Sequence, residues 1–206
     1  MNKSQRTAGL GLLVFGIVTP AAIIISKMPG VGIPHEERNI AEYLVSSNRA
    51  GGNTAAFLAG IAALGVLIFA SWMRHELRSS GDLLWGLAIV GTGLAVAGWF
   101  LLGGMGLAVG EAGVASGLPH QVVYLNVHMA SSVAIEASSA VISIAVLVLA
   151  ARAALPGWLR VASYVGGLGG VTGAIFLPLY LFWLWAIVFG LWAVMGKASS
   201  TQGATA

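Results

Sequence analysis

Between Arg160 and Lys197 the chain runs for 36 residues, Val161 to Gly196, without a charged side chain. As one helix rising ~1.5 Å per residue this run would be ~54 Å long, against ~30 Å for the hydrocarbon core of a bilayer. It therefore predicts two helices, 161–176 and 179–196, turning between Phe176 and Tyr180 around Pro178. Gly166-xxx-Gly170 and the overlapping Gly169-xxx-Gly173 suit close helix packing in the first. Trp183, Trp185 and Trp192 give the second an aromatic surface, facing lipid or core.

The rest of the sequence repeats the pattern of apolar runs flanked by charges. With 58% hydrophobic and 8% charged residues, against about 25% charged in soluble domains, the chain cannot build a water-facing surface. The expected fold is all-α: a polytopic membrane protein, a six-transmembrane-helix bundle with a short outer amphipathic helix. The spans fall at about 8–26, 52–72, 83–109, 128–151, 161–176 and 179–196. Together they form a single bundle over 1–197, followed by a disordered tail at 198–206. The first run follows Lys3 and Arg6, as a signal peptide would, but no small-x-small cleavage site precedes Lys27, so it reads as a retained helix. Pro20 is expected to kink it. The third span is rich in glycine. The polar stretch 27–50 opens on PGVGIP, a loop, and continues as HEERNIAEYLVSSN, which places Ile40, Tyr43 and Leu44 together at helical spacing. RAALPGWLR, 152–160, reads as a compact interfacial loop.

Six spans bring Lys3, Arg6, Arg74, Arg78, Arg152, Arg160 and Lys197 to one side, seven of the 10 basic residues. Lys27, Arg38 and Arg49 fall on the other. An excess of Lys and Arg marks the cytoplasmic face, so the expectation is a multi-pass plasma (inner) membrane protein with both termini cytoplasmic. Glu36, Glu37, Glu42 and Glu111 then lie on the outer side, with His35, His120 and His128.

The fourth span differs from the others because it carries a carboxylate, Glu136, within its apolar run. At 100° per residue His128, Ser132, Glu136, Ser139 and Ser143 fill one arc, flanked by Ser131 and Ser138. Met129, Ala130, Val133, Ala137, Ala140, Val141, Ile144 and Val148 fill the opposite side. Glu136 is ~12 Å deeper than His128 at helical rise. An ionised carboxylate at the centre of a membrane helix costs ~2.5–3.5 kcal/mol, so the stripe must face other helices or a wet cavity. Two readings stay open. Either Glu136 takes a proton, a cation or the charge of a ligand, or it is hydrogen-bonded to a neighbouring helix while the serines bond their own i−4 carbonyls.

Function is correspondingly open. The leading expectation is an accessory or assembly subunit of a membrane complex, on the strength of its glycine-rich faces. The alternative is a small outward-opening transporter or ion/proton pathway using Glu136, lined by His128, Ser132, Ser139 and Ser143. The second alternative is a membrane redox or metal-binding protein, with His35, His120, His128 and Glu111 as ligands. Every histidine lies at a helix end or in a loop, which argues against haem held between facing histidines, and no cofactor is specified. No HExxH, Walker A or Gly-x-Ser-x-Gly pattern occurs, so no catalytic residue is assigned and the balance is against an enzyme. The absence of cysteine excludes disulfides and thiolate sites. No dense basic patch with interleaved aromatics points to nucleic acid. The expected partners are the lipid bilayer and either other membrane subunits or a second copy of the chain.

Overall fold

The computed structural model describes residues 3–26, 46–76, 78, 117, 136, 139–173 and 179–196. These form α-helices and short connections, with no strand among the described residues. The helices are α1 (Lys3–Ser26), α2 (Ser46–Glu76), α3 (Ser139–Arg152), α4 (Gly157–Val171) and α5 (Leu179–Met195). Two stretches, Lys3–Ile25 and Phe57–Glu76, are long and apolar enough to cross a membrane by length and composition. α3 and α5 are shorter apolar helices.

The apolar run after Arg160 is divided into α4 and α5. α4 begins at Gly157, four residues before the expected start. Pro156 sets the first turn, its carbonyl accepting from the Arg160 N–H at 2.9 Å, and a proline at a helix start leaves no donor unsatisfied. Only 153–156 are left between α3 and α4, so Trp158 and Arg160, expected in a loop, lie in the first turn of α4. α1 starts five residues earlier than hydropathy suggested and continues unbroken through Pro20. α2 starts at Ser46, so Ser46 to Asn48, expected at the end of the amphipathic segment, form its first turn. The span at 83–109, the rest of the amphipathic segment and the tail lie outside the described residues.

α1 runs antiparallel to α2 and α5, and α4 antiparallel to α3 and α5, so α2, α3 and α5 share one direction. Gly11 lies against Gly65 and Gly51 against Ile25, which sets α1 against α2; Gly9 against Gly190 and Gly16 against Ile187 set α1 against α5. Leu147 meets Gly167 and Ser143 meets Gly170 between α3 and α4, while Trp185 meets Gly166 and Leu179 meets Gly173 between α4 and α5. The α1–α2 crossing requires glycine on both sides. A Cβ on Gly11 would lie 2.5 Å from the Gly65 carbonyl oxygen, and one on Gly65 would meet the Gly11 carbonyl in turn.

Phe15, Phe69, Phe182, Trp185 and Phe189 fill the core. Phe182 stacks on Trp185 with centroids 5.7 Å apart, and Phe69 meets Trp185 and Phe189 edge-on at 5.8 Å. Outward faces are also apolar: Ile24 is 75% exposed and Phe57 70%, and Leu64 on α2, Val161 and Leu168 on α4 and Leu184 on α5 are exposed as well.

This antiparallel order gathers charge at one end. Lys3 and Arg6 open α1, Arg74 and His75 close α2, Arg152 closes α3 and Arg160 opens α4. Glu76 is the acidic residue among the described ones there. At the far end lie the last turn of α1, Arg49 in the first turn of α2, Glu136, and Tyr180 at the start of α5.

Candidate functional site

Glu136 is helical and half-buried, and Ser139 and Ser143 follow it at i+3 and i+7 on the same face. Ser139 is 1% exposed and Ser143 0%, whereas Ile144, on the opposite face, is 40% exposed. The α3 serines are therefore turned into the bundle. Ser143 packs so closely on α4 that a Cβ on Gly170 would meet its Oγ.

What the serine hydroxyls do there is unusual. A helical hydroxyl can bond the carbonyl four residues earlier. Thr7, Ser71 and Thr172 do so, donating to Lys3, Leu67 and Leu168 at 3.0, 2.9 and 2.8 Å. Ser139 Oγ and Ser143 Oγ are buried and make no hydrogen bond. Leaving a buried hydroxyl unpaired costs ~1–3 kcal/mol. The self-satisfied arrangement that serines in an apolar helix usually adopt is thus absent at these two positions.

Two further buried atoms are in the same condition, Thr19 Oγ1 on α1 and Trp183 Nε1 on α5. Packing places all four in the half of the bundle away from the basic end. Phe182 touches the position of Gly170 beside Ser143, and its ring meets Phe15 at 5.8 Å. Thr19 lies one turn beyond Phe15 toward the far end, and Ser139 one turn beyond Ser143 in the same direction. Trp183 follows Phe182 on α5, its backbone beside Gly16 and its ring 5.3 Å from Tyr180. The Phe15–Phe182 contact therefore lies near the level of Ser143, and Thr19 and Ser139 lie one turn farther toward the far end on their own helices. α4 ends beside this group at Val171, so the negative end of its backbone dipole is nearby.

Nearer the basic end a buried indole is paired. Trp185 Nε1 donates to Ser163 Oγ at 2.9 Å in the buried α4–α5 interface. The expected aromatic surface of α5 is largely internal, with Trp183 and Trp185 both buried.

His128 and Ser132, expected on the stripe, lie outside the described residues. The same holds for His35, His120 and Glu111, which with His128 made up the expected metal set. Among the described residues no three His, Asp or Glu side chains gather to hold a metal ion. Thr19 was not singled out by the sequence, and Trp183 was named there only as part of an aromatic surface. The available signal was a threonine within the apolar first helix, at i+7 and i+4 from Leu12 and Phe15 and so on their face.

No protein-family model matches this chain, and no curated protein and no solved structure is significantly similar to it.

Proposed function

We propose that the chain is a six-span plasma-membrane protein with both termini cytoplasmic, acting as a small transporter or pathway whose outward-facing half takes a proton or cation at Glu136. The observation that carries this is the unpaired state of Ser139 and Ser143. Two hydroxyls on the stripe of an intramembrane carboxylate forgo the i−4 carbonyl bond made elsewhere in the same bundle and lie buried beside the α4 C-terminus. Carboxylates, hydroxyls and helix C-termini are the groups that hold coupling ions in membrane transporters. The apolar outward faces support a lipid setting, because extensive exposed apolar surface is uncommon on soluble monomers. The basic end supports a cytoplasmic placement. The aromatic core lies between the polar group and that end, the arrangement of a pathway that opens to one side at a time. Lipid and a partner helix would match the same outward faces, so those faces do not select the accessory-subunit reading.

The test is cation movement in liposomes holding the purified chain, under an imposed proton, Na⁺ or K⁺ gradient. Movement lost in Glu136→Gln is the expected result. Equal movement in the variant, or none in the wild type, overturns the proposal.

A further inference from the structure

The exposed side of α4 is amphipathic along its length. Residues three and four apart on a helix are surface neighbours, so Trp158, Val161, Tyr164, Val165 and Leu168 form one unbroken strip. All five are exposed, Val161 at 62% and Leu168 at 56%. Arg160 stands at the basic end of that strip, one turn from Tyr164, and is exposed as well. The turn 153–156 separates α4 from Arg152, the exposed last residue of α3. The Leu147–Gly167 contact sets the register of the two helices. Counted from it, Arg152 and Arg160 lie within ~3 Å of one level at 1.5 Å per residue, on helices packed ~8–10 Å apart. They therefore border the same patch of surface. No acidic side chain occupies the first turn of α4, and neither arginine makes an ion pair among the described residues. Glu76 closes α2, which packs on α1, so its charge falls beside the Lys3 turn and not in the α4 strip.

We propose that this face binds an anionic phospholipid. Its phosphate sits on Arg160, with Arg152 across the turn, and an acyl chain lies along Val161, Tyr164, Val165 and Leu168. A guanidinium presents a planar fork of donors that matches phosphate oxygens. Trp158 marks headgroup depth, where exposed tryptophans of membrane proteins collect. Two cations without a carboxylate favour a net negative headgroup, because the amine of a zwitterionic one would add a third positive charge to the patch. A free phosphate would meet the arginines equally well but would leave the apolar strip without a counterpart. The strip continuing directly from the charge is what selects a lipid. The inference rests on the lipid setting proposed above and is independent of Glu136.

The experiment is native mass spectrometry of the full chain in mild detergent, offered equal amounts of phosphatidylglycerol and phosphatidylcholine with the same acyl chains. Expected is preferential retention of phosphatidylglycerol, weakened about fivefold in Arg160→Gln, further in the double variant with Arg152→Gln, and largely kept in Arg160→Lys. Lys3→Gln, at the same end but away from α4, should change it little. Thermal melts in detergent establish that the variants are intact, which exposed arginines make the expected result. Equal retention of the two lipids overturns the proposal, as does a preference unchanged in the double arginine variant. Displacement of phosphatidylglycerol by an equal concentration of glycerol phosphate overturns it in favour of a soluble phosphate. A photo-crosslinker at position 161 that captures a protein in place of lipid overturns it in favour of a partner chain. Retention unaltered in Glu136→Gln is expected, so a failed pathway leaves the lipid site standing. Recovery of the chain in the soluble fraction overturns both.

Discussion

Trp183 and Trp185 are two residues apart on α5, and each brings an indole N–H into the protein interior. Trp185 finds Ser163 across the α4 interface at 2.9 Å, while Trp183 finds nothing. The first pair is therefore a structural fastening. Ser163→Ala strands a buried donor, and Trp185→Phe strands a buried hydroxyl, each costing ~1–3 kcal/mol. The double variant leaves neither atom stranded, so its cost should fall short of the sum by ~0.5–1.5 kcal/mol, read from denaturation of all four forms in detergent. Strict additivity would mean that the bond contributes nothing. This distinction between neighbouring tryptophans was not legible in the sequence, where Trp183, Trp185 and Trp192 read as one aromatic surface. Hydrogen-bond partners on other helices have no local signature. The α3 stripe was legible because an intrahelical arc follows from spacing alone; the condition of its hydroxyls required the neighbouring α4 to be in place.

Helices with apolar side chains on every face offer no polarity contrast to decide which side turns inward, so close approach has to do it. In α2 two glycines five residues apart separate the effects. Gly65 lies under the Gly11 carbonyl of α1, and Gly60 has no atom within 4 Å of the position its Cβ would take. Gly60→Ala should therefore stabilise, by about 0.5–1 kcal/mol, through lower backbone entropy in the unfolded chain. Gly65→Ala should destabilise by ~1–3 kcal/mol because α1 must move away. Parallel thermal melts of the two variants test this, and equal shifts would refute the α1–α2 crossing. The Gly166 and Gly170 pair was readable as a packing site. Its two members serve different neighbours, Trp185 on α5 and Ser143 on α3, which spacing cannot reveal. Helix starts departed from the hydropathy boundaries for a related reason. Backbone chemistry at Pro156 and the Thr7 bond to the Lys3 carbonyl in the first turn of α1 act at such ends, while hydropathy reports only where lipid can be tolerated.

Across the whole molecule, the antiparallel order turns a scatter of basic residues in the sequence into one charged end. Reading that end as cytoplasmic makes a prediction that the chain is well suited to test, since it contains no cysteine. Ala154 is exposed in the short α3–α4 turn at the basic end, and Tyr180 is exposed at the far end where α5 begins. Ala154→Cys and Tyr180→Cys, made singly, each give one thiol and hence one answer. A membrane-impermeant maleimide should label Tyr180→Cys on intact cells, and Ala154→Cys only in inside-out vesicles. The reversed pattern would place the basic end outside and oppose the excess of Lys and Arg there. It would also turn the Glu136 end of the bundle toward the cytoplasm, so the same two variants decide which compartment Glu136 lies nearer. Recovery of both variants in the soluble fraction, fully labelled, would remove the bilayer from the account and leave the exposed faces around Ile24 and Phe57 in need of a protein partner.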